Sequence, residues 1–170
     1  MAAETLNYSN IPVAPFAENV ATLVKEGETA ETLLENLKTL LGKYRMMEVS
    51  LKNKLERFTG LQTELNSSYS AVEQLSKSSE LGYDFELGDT LYAKAKILAG
   101  ARTVGLWLGA GIMVEYSLAE AKEFLNTKRD ERKEEIRKTI HDLDYIRKQI
   151  TTMEVVIARL FNHIVDRQKQ

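Results

Sequence analysis

Val104-Gly105-Leu106-Trp107-Leu108-Gly109-Ala110-Gly111-Ile112-Met113-Val114-Glu115-Tyr116-Ser117-Leu118-Ala119-Glu120 decides the fold, because strand, turn, strand and helix start follow one another without a linker. Apolar residues alternate on either side of Gly109-Ala110-Gly111, the pattern of a β-hairpin. Ser117-Leu118-Ala119-Glu120 then spells a capping box, in which Ser117 and Glu120 satisfy backbone donors of a new helix reciprocally. Trp107, between Leu106 and Leu108, is expected to point to the face opposite theirs and to anchor a sheet face or a subunit contact rather than stack on a ligand.

A similar pattern precedes this one. Strands are expected at Tyr83–Leu87 and Leu91–Ile97, joined at Gly88-Asp89, and at Thr103–Leu108 and Ile112–Tyr116, with Ala99-Gly100 between the two hairpins. Hairpins alone are marginal in water and leave strand edges open. Residues 79–116 are therefore read as an assembly module, with Leu87, Leu91, Val104, Leu106, Trp107, Leu108, Ile112 and Val114 as the candidate contacts with other subunits.

On both sides of this module the apolar period lengthens to seven. Residues 29–78 hold no proline, and Leu37, Tyr44, Leu51, Phe58, Leu65 and Val72 fall on one heptad position a. Position d takes Leu33, Leu40, Met47, Leu61 and Leu75, interrupted by Lys54 and Ser68. Residues 117–168 repeat the device with Ile136, Leu143, Ile150, Ile157 and Ile164 at a, and Leu118, Leu125, Ile146, Met153 and Leu160 at d; Arg129, Arg132 and Thr139 interrupt that seam. Helices this long must shield each other, so the expected fold is mainly α: a long antiparallel two-helix coiled coil with two β-hairpins between the helices.

Residues 1–28 carry both prolines, in Ile11-Pro12-Val13-Ala14-Pro15-Phe16, and read as an extended N-terminal arm. Met1–Asn10 has the pattern of neither a secretory signal nor a transit peptide. The longest uncharged apolar stretch, Thr103–Val114, falls short of the roughly 18 to 20 residues of a membrane span, so no membrane partner is expected. Lys+Arg number 23 against 25 Asp+Glu, which leaves no net field to attract nucleic acid. Cysteine is absent, in keeping with a reducing compartment, and the cytoplasm is expected.

No catalytic, cofactor-binding or metal-ligating residue is assigned. His141 and His163 are far apart on one helix, and the carboxylates are scattered along helix faces. Gly105, Gly109 and Gly111 lack the Lys-Ser/Thr of a phosphate loop, and residues 128–135 mix bases and acids as a water-facing helix does. An enzyme is not expected. What remains are apolar residues off the seam. Val155, Val156, Phe161 and Val165 either form a sticky surface or pack against the arm or a neighbouring helix. Leu34, Leu41, Val156, Phe161 and Val165 are the candidate contacts for a partner at the end of the coil.

Ile11–Phe16 with Glu18-Asn19-Val20, Leu87–Ala95, Val104–Ala110, Met113–Leu118 and Ile150–Val155 through Ala158-Arg159-Leu160 make the chain similar to the α-class subunits of the prefoldin family. That resemblance implies an ATP-independent holdase of two α-class and four β-class subunits, whose hairpins join into a β-barrel body and whose coil ends grip unfolded actin and tubulin for delivery to the cytosolic chaperonin. Asn162-His163 stands where the family has Asn followed by Trp. A structural or tethering coiled-coil protein without chaperone activity is the alternative that the heptads alone would suit.

Overall fold

The computed structural model describes residues 7–17, 22, 29–77, 81–97 and 102–168. The remainder of the expected arm and the Ala99-Gly100 connection lie outside the described residues. Helix α1 (Ala30–Lys77) is followed by strands β1 (Leu81–Gly88), β2 (Leu91–Ile97), β3 (Thr103–Gly109) and β4 (Ile112–Ser117), then by helix α2 (Leu118–Gln168). Each helix has a side-chain cap. The Thr29 hydroxyl accepts from the Thr32 N–H at 3.2 Å. At α2 the Ser117 N–H donates to Glu120 at 3.1 Å while the Glu120 N–H donates back to the Ser117 hydroxyl at 3.3 Å, the reciprocal pair expected from the sequence. The Ser117 hydroxyl also donates to the Glu120 carboxylate, and these two bonds hold that carboxyl below the usual carboxylate range.

The helices run antiparallel. Arg45 reaches Glu154 at 2.9 Å and Arg147 reaches Glu48 at 3.4 Å, so the partner on α2 recedes as α1 advances. The chain divides into two compact units, residues 1–58 with 135–170, and residues 59–134. In the first unit Leu37, Tyr44 and Leu51 of α1 join Leu143, Ile146, Met153, Val156, Leu160 and Ile164 of α2 in one core, to which the arm adds Ile11 and Ala14. Thr139, an interruption of the seam on paper, is buried; its hydroxyl donates to the Glu135 carbonyl one turn back at 2.8 Å and carries no unmet hydrogen bond into the interior.

The arm is seated by side chains placed to receive it. Asn7 closes a tight loop on Ile11, its amide nitrogen donating to the Ile11 carbonyl at 2.9 Å and its amide oxygen accepting from the Ile11 N–H at 2.7 Å. Asn10 takes up the left-handed φ of 51° inside that loop, a conformation asparagine tolerates better than most residues. Beyond it Ile11 and Ala14 are buried and Ala17 is half-buried, while Pro12, Val13 and Phe16 are exposed. Burial every third residue is the period of a polyproline II segment, which the two prolines favour.

In the second unit the two antiparallel hairpins, β1-β2 and β3-β4, form separate two-stranded sheets. Val72, Ala121 and Leu125 make a small core on which Leu65, Tyr69, Val104, Leu106, Tyr116 and Phe124 pack. Arg129, another interruption of the seam, lies 4.5 Å from the Tyr69 ring centre, and its Nε donates to Asn66 at 2.8 Å, which links the two helices through a polar joint.

Candidate assembly and client-binding surfaces

The hairpins are amphipathic by register. In the first, Tyr83 faces Ala95 and Phe85 faces Ala93, whereas on the other side Asp84 faces Lys94 and pairs with it at 3.1 Å. Tyr83, Phe85, Leu87, Leu91 and Tyr92 are all exposed. In the second, Val104 pairs with Tyr116 and Leu106 with Val114, while Trp107 pairs with Met113. Val104, Leu106 and Val114 are half-buried, and the first two pack on the helices of their own unit. Val104 and Leu106 thus hold the hairpin onto its own coil.

The residues left outward are Trp107, 64% exposed, with Met113, Leu108 and Ile112. Leu108 does not share the burial of Leu106 as strict alternation requires, because the register shifts between Trp107 and Gly109. Leu87 stands at the equivalent shift between Glu86 and Gly88. Met113 was not singled out from the sequence; Gly105 makes room for it, since a Cβ there would come within 2.9 Å of the Met113 sulfur. Its signal was present in the alternation, as the residue opposite Trp107. A cleft of about 460 Å³ within this unit is lined by Leu61, Leu65, Leu106, Trp107 and Phe124, with Lys128 and Arg132 beside them.

In the first unit the candidates separate. Val156 is 0% exposed and belongs to the core; Leu34 and Leu41 are half-buried and pack against that core. All three pack within their own unit in this chain, with arm residues Ile11 and Ala14 in the same cluster as Val156. Val165 is half-buried, whereas Phe161, 55% exposed, and Val155 stand outward. Met46, 74% exposed, and Val49 join them as outward apolar residues that the sequence reading passed over, although their outer heptad positions were a usable signal. Among the described residues no group of His, Cys, Asp and Glu is placed to hold a metal ion, and no helix is long and apolar enough to cross a membrane.

A two-helix coiled coil closed by two hairpins with outward apolar residues defines a coiled-coil subunit of the prefoldin class. The prefoldin-subunit family model matches residues 44–163, and the chain belongs to the prefoldin family of chaperone subunits. Among curated proteins it is similar to Prefoldin subunit 3 of Elsinoe fawcettii, 36% identical over 98% of this chain and 86% of that protein. It is likewise similar to Prefoldin subunit 3 of Saccharomyces cerevisiae, 33% identical over 96% and 88%, and of Homo sapiens, 34% identical over 94% and 84%. Among solved structures, a chain of the filamentous PFD of Methanocaldococcus jannaschii aligns with a TM-score of 0.47 and 16% identity, covering 78% of this chain and 98% of that one.

Proposed function

We propose that this chain assembles with other prefoldin subunits, two α-class and four β-class to a hexamer, into an ATP-independent holdase of the cytoplasm. The assembly captures unfolded polypeptides such as actin and tubulin and delivers them to the cytosolic chaperonin. The observation that carries the reading is the set of exposed large apolar side chains on hairpins that each pair only with themselves among the described residues: Phe85, Leu87, Leu91, Tyr92, Trp107, Ile112 and Met113. Such residues on open two-stranded sheets are stable in water only when other strands and apolar faces cover them.

The test is co-assembly. With Trp107 and Met113 both replaced by lysine, the chain keeps its helical circular dichroism and loses co-elution with β-class partners on a sizing column. Unchanged co-elution of that variant overturns the assembly role of this face. Holdase action is read separately, as suppression of the aggregation of denatured actin by the purified assembly without added nucleotide.

A further inference from the structure

Asp142, Gln149 and Val156 recur every seven residues on α2 and so form one row beside the seam. This row and Tyr44 of α1 read the N-terminal arm mainly through its main chain. Asp142, 1% exposed, accepts from the Tyr8 N–H at 2.7 Å and from the Ser9 hydroxyl. Gln149 accepts from the Ala14 N–H at 2.8 Å, and the Tyr44 hydroxyl donates to the Pro12 carbonyl at 3.1 Å. The arm side chains that are buried are Ile11 and Ala14, three positions apart, while the exposed rings of Tyr8 and Phe16 lie against His141 and Arg159 outside the row. Three of the four hydrogen bonds end on backbone groups, and the prolines stand where no N–H is used. Recognition of this kind asks little of sequence: an extended segment with an apolar residue followed three positions later by a small one presents the same groups.

We propose that Tyr44, Asp142, Gln149 and Val156 form a binding site for an extended apolar segment of an unfolded polypeptide, and that residues 7–17 are its resident, displaceable occupant. The nature of the partner rests on the holdase reading above; the site itself rests on the arm seated in it. A resident arm keeps Val156 and the apolar cluster around it covered when no client is present, which limits exposed sticky surface. Being tethered, it competes at an effective concentration on the order of millimolar, so clients gain entry when they offer several such segments at once.

The test uses the full chain and a fluorescently labelled synthetic peptide of residues 7–17. Replacing Ile11 and Ala14 by aspartate in the chain's own arm vacates the row, and the apparent affinity for the peptide is expected to rise about tenfold or more over the unsubstituted chain. A peptide carrying the same two aspartates does not bind, and Gln149→Ala in the arm-released chain weakens binding. Hydrogen exchange provides a second route that puts no charge near the core: Tyr44→Phe with Gln149→Ala speeds exchange of the Tyr8 and Ala14 amides while α1 and α2 stay protected. Equal peptide affinity for arm-released and unsubstituted chains, or arm amides that exchange alike in all variants, overturns the proposal. Suppression of actin aggregation by the same proteins is a separate readout, so peptide binding without suppression upholds the site and refutes the holdase reading.

Discussion

Tyr44 is the residue at which coil and arm meet. Its ring fills a heptad a position, 1% exposed, and its hydroxyl leaves the seam to reach the Pro12 carbonyl. Burial, and after it the charge of an ionised Tyr145, push its phenol above the ordinary value of 10.0. Because the neutral form is the one favoured in the folded state, this stabilisation is complete below pH 10 and is lost as pH rises through the raised value. Tyr44→Phe removes the hydrogen bond, and a loss of about 1 kcal/mol at neutral pH is expected. The same variant should show a shallower fall in stability above pH 10, measured by urea denaturation at neutral and alkaline pH. Glu48 behaves in the opposite sense. The hydrogen bond from Lys52 first, and that from Arg147 next, hold its carboxyl low, so its contribution is present above the ordinary carboxylate range and is lost on acidification. Asp142 was passed over in the sequence because a carboxylate beside the seam looks solvated; its burial follows from the arm that lies over it.

Among the elements, the hairpins carry the most local tension. Thr90 in the β1-β2 turn adopts φ 70° and Ala110 in the β3-β4 turn φ 51°, both in the left-handed region that Cβ-bearing residues avoid. Gly109, at φ 98°, and Gly111, at φ 78°, occupy the positions of the β3-β4 turn where glycine removes that penalty. Thr90→Asn is expected to gain about 0.5–1 kcal/mol, because asparagine visits this region more readily and keeps more restraint on the unfolded chain than glycine would. A rise in Tm of about 2–4 °C per kcal/mol would be the calorimetric sign. The register shifts beside these turns explain why alternation served for most strand residues and failed at Leu108. A single extra residue in a ladder re-aims the side chain that follows from parity alone.

At the scale of the molecule, each unit has its own core and its own outward apolar residues, and these invite different experiments. Replacing Met46, Val49 and Phe161 together by serine should leave Tm nearly unchanged, since exposed substitutions fall within about 0.5 kcal/mol. Under the holdase reading the same variant should suppress actin aggregation severalfold less well. Val156→Ala, by contrast, removes buried methyl groups and is expected to destabilise by about 1–3 kcal/mol, measured by denaturant titration. Should the triple variant unfold early, its side chains are structural and the client surface lies elsewhere. By itself the sequence determined the two helices, the four strands, the capping box and most seam positions of α1, Leu61 being the exposed exception. Those features rest on periods of seven and two and on the chemistry of neighbouring residues, which a short window contains. Only the tertiary structure decided which apolar residues beside the seam meet water. Val156, Leu34 and Phe161 look alike in a heptad, but Val156 shares its cluster with Ile11 and Ala14, and the bond that ties Tyr8 to Asp142 spans 134 residues. Burial is fixed by whatever lies across the contact, and a partner at that separation leaves no trace in local periodicity.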